Sequence, residues 1–178
     1  MNWFAKRLRR VWREENGVAT VEFVLMVPMV LAIFMGSFES GLMMTRSIML
    51  EQSLDMVMRE LRLGHYVNPS AALIKSEVCS RTVMLNNCNA DLNIELTKIS
   101  TTTWAMPSAS VECVNKAANT QPPVKVTIGQ QNDLMLVRAC IVVDALFPTT
   151  GIGLQLTQAN VGGGYKIVAV SAFANEPD

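Results

Sequence analysis

Val18 to Phe38 is an almost unbroken apolar run, and directly after it the pattern changes to apolar and charged faces in alternation. About 20 apolar residues wound as a helix cross the roughly 30 Å hydrocarbon core of a bilayer, so residues 18–38 are predicted to span a membrane. Beyond them Leu50, Leu54, Val57 and Leu61 recur at three- and four-residue spacing while Glu51, Asp55, Arg59 and Arg62 occupy the other face. That period belongs to a helix that lays one stripe on a folded body. Asp55 and Arg59 are a favourably oriented i, i+4 pair, and Gly64 is a natural helix stop. The expectation is one helix from Val18 to Leu63, with residues 18–38 lipid-soluble and residues 39–64 its continuation outside the membrane. Pro28 is tolerable in such a helix and predicts a kink. The methionines from Met26 to Met58 add flexible packing surface, although core filling is their commoner role.

The remaining pattern is mixed. Asn68-Pro69 reads as the cap and first turn of a second helix running to about Val83. Leu92, Ile94 and Leu96 alternate with Asn93, Glu95 and Thr97, as in a half-buried strand. Residues Ser100 to Pro123 read as an ordered loop, Val124 to Ile128 as a short strand and Gly129 to Asp133 as a turn. Leu134 to Leu146 is apolar enough for a central strand, Phe147 to Gly164 reads as a second loop, and Tyr165 to Asn175 as the closing strand. Helices first and strands later predict an α+β fold in which residues 65–178 form a small antiparallel sheet packed on the helical spine.

Charge adds direction. Lys6, Arg7, Arg9, Arg10 and Arg13 outnumber Glu14 and Glu15 ahead of the apolar run, which predicts a cytoplasmic N-terminus with the rest of the chain outside. Inside the run stands one carboxylate, Glu22, the fifth residue after Gly17. An ionisable group there costs about 2.5 to 3.5 kcal/mol on insertion scales and calls for a partner. Cleavage after Gly17 would supply one, because the new α-amine of Val18 lies about one helical turn from Glu22 and would be largely protonated near neutrality. The pair could form within one chain, or Glu22 could reach the terminus of a neighbouring subunit and set the register of packed helices. An ordinary signal anchor, with Glu22 snorkelling to the headgroups, is the plainer alternative. A secretory signal peptide is another, with Ala32, Gly36, Ser37 and Ser40 as small residues for cleavage, but the apolar run is long for one.

Gly17, Val21-Glu22-Phe23, Pro28, Glu39, Gly41 and the closing Asn175-Glu176-Pro177 together resemble the TadE-like pilus-assembly proteins of the tight-adherence (Flp, type IVb-like) system. The resemblance is strong over residues 13–63 and weak at the C-terminus. It implies that residues 1–17 are a leader, removed between Gly17 and Val18 by a prepilin peptidase that commonly methylates the new terminus. It also implies that Glu22 and Phe23 serve assembly, and that the product is a minor pilin or pseudopilin with a pilin-like fold. Its partners would be other pilins and minor pilins, the peptidase, the inner-membrane assembly platform and the lipid bilayer. Its place would be the bacterial inner membrane, with a periplasmic C-terminal domain, and then the fibre or its tip. The competing reading is a bitopic inner-membrane protein with a periplasmic ligand-binding or sensor domain.

Four cysteines, Cys79, Cys88, Cys113 and Cys140, all follow the long helix. In an oxidising compartment an even count reads as disulfides, and four cysteines allow three connectivities. Cys79–Cys88 and Cys113–Cys140 are preferred: the first closes a short polar loop between helix and strand, the second ties a connecting segment to the central strand. Zinc sites usually show cysteine pairs two to four residues apart, and these cysteines do not, so no metal is expected. The formal net charge is zero and the basic residues concentrate before the apolar run, which argues against a nucleic-acid partner. Gly162 to Gly164 lead into a predicted strand, whereas a phosphate-cradling loop opens a helix, so no nucleotide cofactor is expected either. The single histidine, His65, beside Gly64, suits a helix end better than a catalytic constellation. The reading is therefore of a structural subunit and not an enzyme.

Overall fold

A computed structural model describes residues 18–66, 69–108, 110–116, 122, 123, 125–127, 129–149, 151–158 and 164–175. Helix α1 runs from Val18 to Arg62. It ends where Gly64 takes a φ of +71°, a conformation that glycine reaches without steric cost. The Gly64 N–H then donates to the Leu61 carbonyl and the His65 N–H to the Glu60 carbonyl, so two carbonyls of the last turn are satisfied by the backbone. His65 thus caps through its amide.

Helix α2, Ala71–Ser80, is shorter at both ends than its pattern suggests. Its cap is Ser70, whose hydroxyl accepts from the Leu73 N–H at 3.1 Å, while Asn68 lies outside the described residues. At the other end the Arg81 N–H turns to the Val78 carbonyl and the Thr82 N–H to the Cys79 carbonyl. The helix tightens and stops before Val83, and the chain turns back so that Cys88, at the start of the one-turn helix α3 (Cys88–Asp91), meets Cys79.

Three strands follow, β1 (Leu92–Ile99), β2 (Leu134–Val143) and, after helix α4 (Gly151–Gln158), β3 (Tyr165–Ala174). They form an antiparallel meander in the order β1-β2-β3. Leu92 pairs with Ile141 and Ile99 with Leu134, and β3 pairs Tyr165 with Val143 and Ala174 with Leu134. Of the expected strand at Val124 to Ile128, whose two end residues lie outside the described residues, Val126 forms a parallel bridge to Leu96, made by the Lys125 carbonyl and the Thr127 N–H on the outer edge of β1. Helix α4 falls inside what the pattern reads as a loop. The fold is α+β, a long apolar-started helix laid along a small antiparallel sheet.

Alternation along the strands sends one set of side chains to α1. Leu92, Ile94 and Leu96, then Met135, Val137, Ala139 and Ile141, then Tyr165, Ile167 and Ala169 form the inner face and are buried with Leu50, Leu54 and Val57 of α1 and Ile74 and Val78 of α2. The outer face is not the solvated surface that Asn93 and Glu95 suggest. Both are buried, because Ser108 and residues 112–114 lie over β1 and β2. Asn93 donates to the Glu112 carbonyl at 2.8 Å, and Arg138, opposite Glu95 in the register, pairs with that carboxylate at 2.6 Å and donates to the Ser108 carbonyl. The Cys113–Cys140 disulfide closes the same layer onto β2.

Candidate functional site

The first half of α1 leaves the domain bare. At least ten apolar side chains between Val21 and Phe34 are 46–70 % exposed, Phe23 at 67 % and Leu25 at 70 % among them. Burying such a side chain is worth about 1.5 to 3 kcal/mol. Allowing for partial exposure, the uncovered surface represents on the order of 10 kcal/mol, far beyond the scattered apolar side chains that soluble surfaces carry. The helix is long and apolar enough to cross a membrane. Residues 18–38 would rise about 31 Å, the thickness of a hydrocarbon core. The hydroxyls bordering this stretch satisfy themselves: Ser37 donates to the Ile33 carbonyl, Ser40 to Gly36 and Thr45 to Gly41, at 2.9, 2.9 and 2.8 Å. α1 continues through Pro28.

Glu22 stands on this bare half as its one charged side chain, exposed one turn into the helix and followed by exposed Phe23. Val18 opens the helix, and Gly17 lies outside the described residues. Glu22 and Phe23 are left uncovered by the described residues.

Where the bare half meets the domain, a second carboxylate behaves in the opposite way. Glu39 is 1 % exposed. Its Oε2 accepts from the amides of Leu146 and Phe147 at 2.9 and 3.0 Å, while Oε1 makes no hydrogen bond among the described residues. One helical stripe, Glu39, Met43, Arg46, Leu50, Leu54, Val57 and Leu61, explains the placement, since each member follows the last by three or four residues. Two turns on from Glu39, Arg46 donates through Nη1 to the Asp144 carbonyl at 3.1 Å and to the Tyr165 hydroxyl at 2.7 Å. Phe147 packs edge-on against Phe38 with centroids 6.4 Å apart, and Phe38 stacks on Phe34 at 6.5 Å. Ile152 of α4 lies over Gly36, where an added Cβ would meet it at 3.7 Å. β2 ends at Val143, three residues before its expected end, and beyond it the Asp144 carbonyl and the Leu146 and Phe147 amides turn to α1. The pattern alone does not assign Glu39 this role, although its position on the buried stripe is legible there.

A second polar cluster locks the far end of α1. Arg81 lies 3.0 and 2.9 Å from the two oxygens of Glu60, which also accepts from the Tyr66 hydroxyl, and Glu77 is 3.6 Å from Arg81. The hydrogen bonds from Tyr66 and then Arg81 hold the Glu60 carboxyl below its ordinary range. Desolvation, and then donation to Glu60, push the Tyr66 hydroxyl up to about 12. At the same end Lys98, 2.6 Å from Asp133, and the Gln130 N–H keep the Asp133 carboxyl low. Asn175 exchanges backbone hydrogen bonds with Asn132 and Asp133 and donates from its side chain to the Gln130 carbonyl, fastening the end of β3 to the turn before β2.

Residues 17–59 match the family model described as TadE-like protein, the segment that holds Glu22, Glu39 and most of the buried stripe. No curated protein and no solved structure gives a significant match to this chain.

Proposed function

We propose that the chain is a minor pilin, or pseudopilin, of a tight-adherence pilus. It would be held in the inner membrane by α1, processed by a prepilin peptidase between Gly17 and Val18, and packed into the fibre through the same helix. The observation that carries this reading is the bare apolar half of α1, whose single carboxylate, Glu22, sits five residues after Gly17 within a segment that is TadE-like. A surface of that size requires a cover, and lipid and a bundle of like helices are both apolar, so the helix exchanges one for the other at little cost in burial. Before processing Glu22 lacks an ammonium. Afterwards the α-amine of Val18, in the same chain or in a neighbour, balances it in a medium where an unpaired charge is costly. Processing then acts as a switch from parked precursor to assembly subunit, and the charge pair sets the axial register.

The partners in this reading are other pilins and minor pilins, the peptidase and the inner-membrane assembly platform. The domain is periplasmic until it enters the fibre or its tip. Its part is structural, with burial and charge pairing in place of turnover. N-terminal mass spectrometry of protein from piliated cells is expected to find a chain beginning at Val18. A chain beginning at Met1 would overturn the reading and favour the bitopic sensor. Glu22→Gln is expected to leave the protein inserted and folded while fibre assembly fails, and normal piliation by that variant would remove the register role.

A further inference from the structure

We propose that the connection between β2 and β3, from Leu146 through α4, is a second membrane contact that seats the domain in the outer boundary of the bilayer. This rests on α1 spanning the membrane. Helix α4 does not pack on the domain's core alone. It lies against α1 at Gly36, inside the apolar run. Val18 to Gly36 is about 27 Å of helix rise, so Gly36 falls within about one turn of the far edge of a roughly 30 Å hydrocarbon core. Any residue that reaches Gly36 is at that edge, and Ile152 does.

The chemistry of the connection suits that depth. From Ala145 to Tyr165 the chain carries no charged side chain. Leu146, Ile152 and Leu154 are 49, 40 and 42 % exposed, and Ile152 over Gly36 and Phe147 against Phe38, itself 48 % exposed, join this apolar surface to the membrane-spanning helix. The carboxylate at this depth is withdrawn: Glu39 is buried and takes the Leu146 and Phe147 amides. Charge returns at Asp144 and Lys166, on either side of the connection, and at Arg46 on α1, which mark the water side. The helix is held close by a sequence device, since a Cβ on Gly153 would stand 2.1 Å from the Phe147 carbonyl oxygen, and only glycine allows that approach. A short uncharged helix with apolar side chains turned outward, placed at headgroup depth, is an interfacial anchor. The occupant is the bilayer itself, through its acyl and headgroup boundary.

Tryptophan quenching by brominated phospholipid tests this on the full chain in phosphatidylcholine and phosphatidylglycerol vesicles. Trp3 and Trp12 are replaced by phenylalanine throughout. Trp104, at the opposite end of the sheet, is kept alone as the water-exposed reference and replaced in the Ile152→Trp, Leu154→Trp and Val30→Trp chains. The Ile152→Trp and Leu154→Trp chains are expected to lose most of their fluorescence to lipids brominated near the glycerol. The Val30→Trp chain should respond to lipids brominated deep in the acyl chain, and Trp104 to neither. If Val30→Trp is quenched and both α4 variants behave like Trp104, the proposal falls and the spanning helix stands. If Val30→Trp is also unquenched, the membrane reading of α1 fails and takes the proposal with it. Blue-shifted but unquenched emission from the α4 variants would mean that protein covers this surface, which also overturns it.

Discussion

Replacing Glu39 by alanine removes the carboxylate that accepts from the Leu146 and Phe147 amides, at a site where that residue is 1 % exposed. Leaving a buried donor unsatisfied costs about 1 to 3 kcal/mol, so two amides span about 2 to 6 kcal/mol, and the part-buried Leu146 and Phe147 amides fall at the lower end of that range. Because Oε1 makes no hydrogen bond among the described residues, a glutamine can place its carbonyl where Oε2 stands and its amide where Oε1 stands. The glutamine variant is therefore expected within about 1 kcal/mol of the parent, as a neutral acceptor replaces a charged one. Amide hydrogen exchange of the full chain in detergent, resolved to residues 146 and 147, measures this directly. Tenfold per 1.4 kcal/mol converts the alanine loss into about 30-fold or faster exchange at these two amides. The Arg81 to Glu60 end of α1 should exchange as before. Unchanged exchange at 146 and 147 in Glu39→Ala would refute the capping account. Equal damage from alanine and glutamine would show that charge, and not the acceptor geometry, holds the junction.

Two further outcomes follow from polar pairs elsewhere. Glu60 and Asp133 are held below their ordinary pKa by partners present only in the fold, so their stabilising contribution exists above the unfolded carboxylate range, near pH 4, and is lost as pH falls through the folded values. Thermal midpoints of the full chain in detergent should fall on acidification below about pH 4, and Glu60→Gln should flatten that limb; an identical limb in the variant would remove Glu60 from it. At the outer face, Arg138 and Glu95 are 10 and 5 % exposed in their side chains. Arg138→Met alone should cost about 3 to 5 kcal/mol by stranding a buried charge, and adding Glu95→Leu should recover most of it. Denaturant unfolding reads both, and a double variant no better than the single would show that packing, not the stranded carboxylate, sets the loss.

The strongest period proved the most readable. The stripe through Leu50, Leu54, Val57 and Leu61, with Gly64 behind it, places α1 within one residue of its observed end. The alternating strands are also recognisable, since their inner faces need only be apolar every second residue. Burial of the polar positions was not: Asn93 and Glu95 look solvent-facing until Ser108 and residues 112–114 cover them, and no local pattern in a segment rich in serine and threonine announces that. Helix α4 was hidden for a related reason. Gly-Ile-Gly-Leu-Gln-Leu-Thr-Gln has weak helical propensity, and its conformation is secured by the fit of Gly153 under the Phe147 carbonyl and of Ile152 over Gly36. Within the candidate site, Glu22 is visible because it interrupts an apolar run. Glu39 sits one residue past that run and is legible only once the stripe is extended backwards from the core.

The unbroken course of α1 has a mechanical consequence. Forty-five residues form one rod of about 67 Å, without a linker between the bare half and the half bonded to the sheet. A pull along its axis reaches the domain as shear across Leu50, Leu54 and Val57 together with the Glu39 and Arg46 attachments, which must give way at once and not one after another. The domain therefore travels with the rod, and any advance of the helix by one turn lifts the whole sheet by the same roughly 5.4 Å.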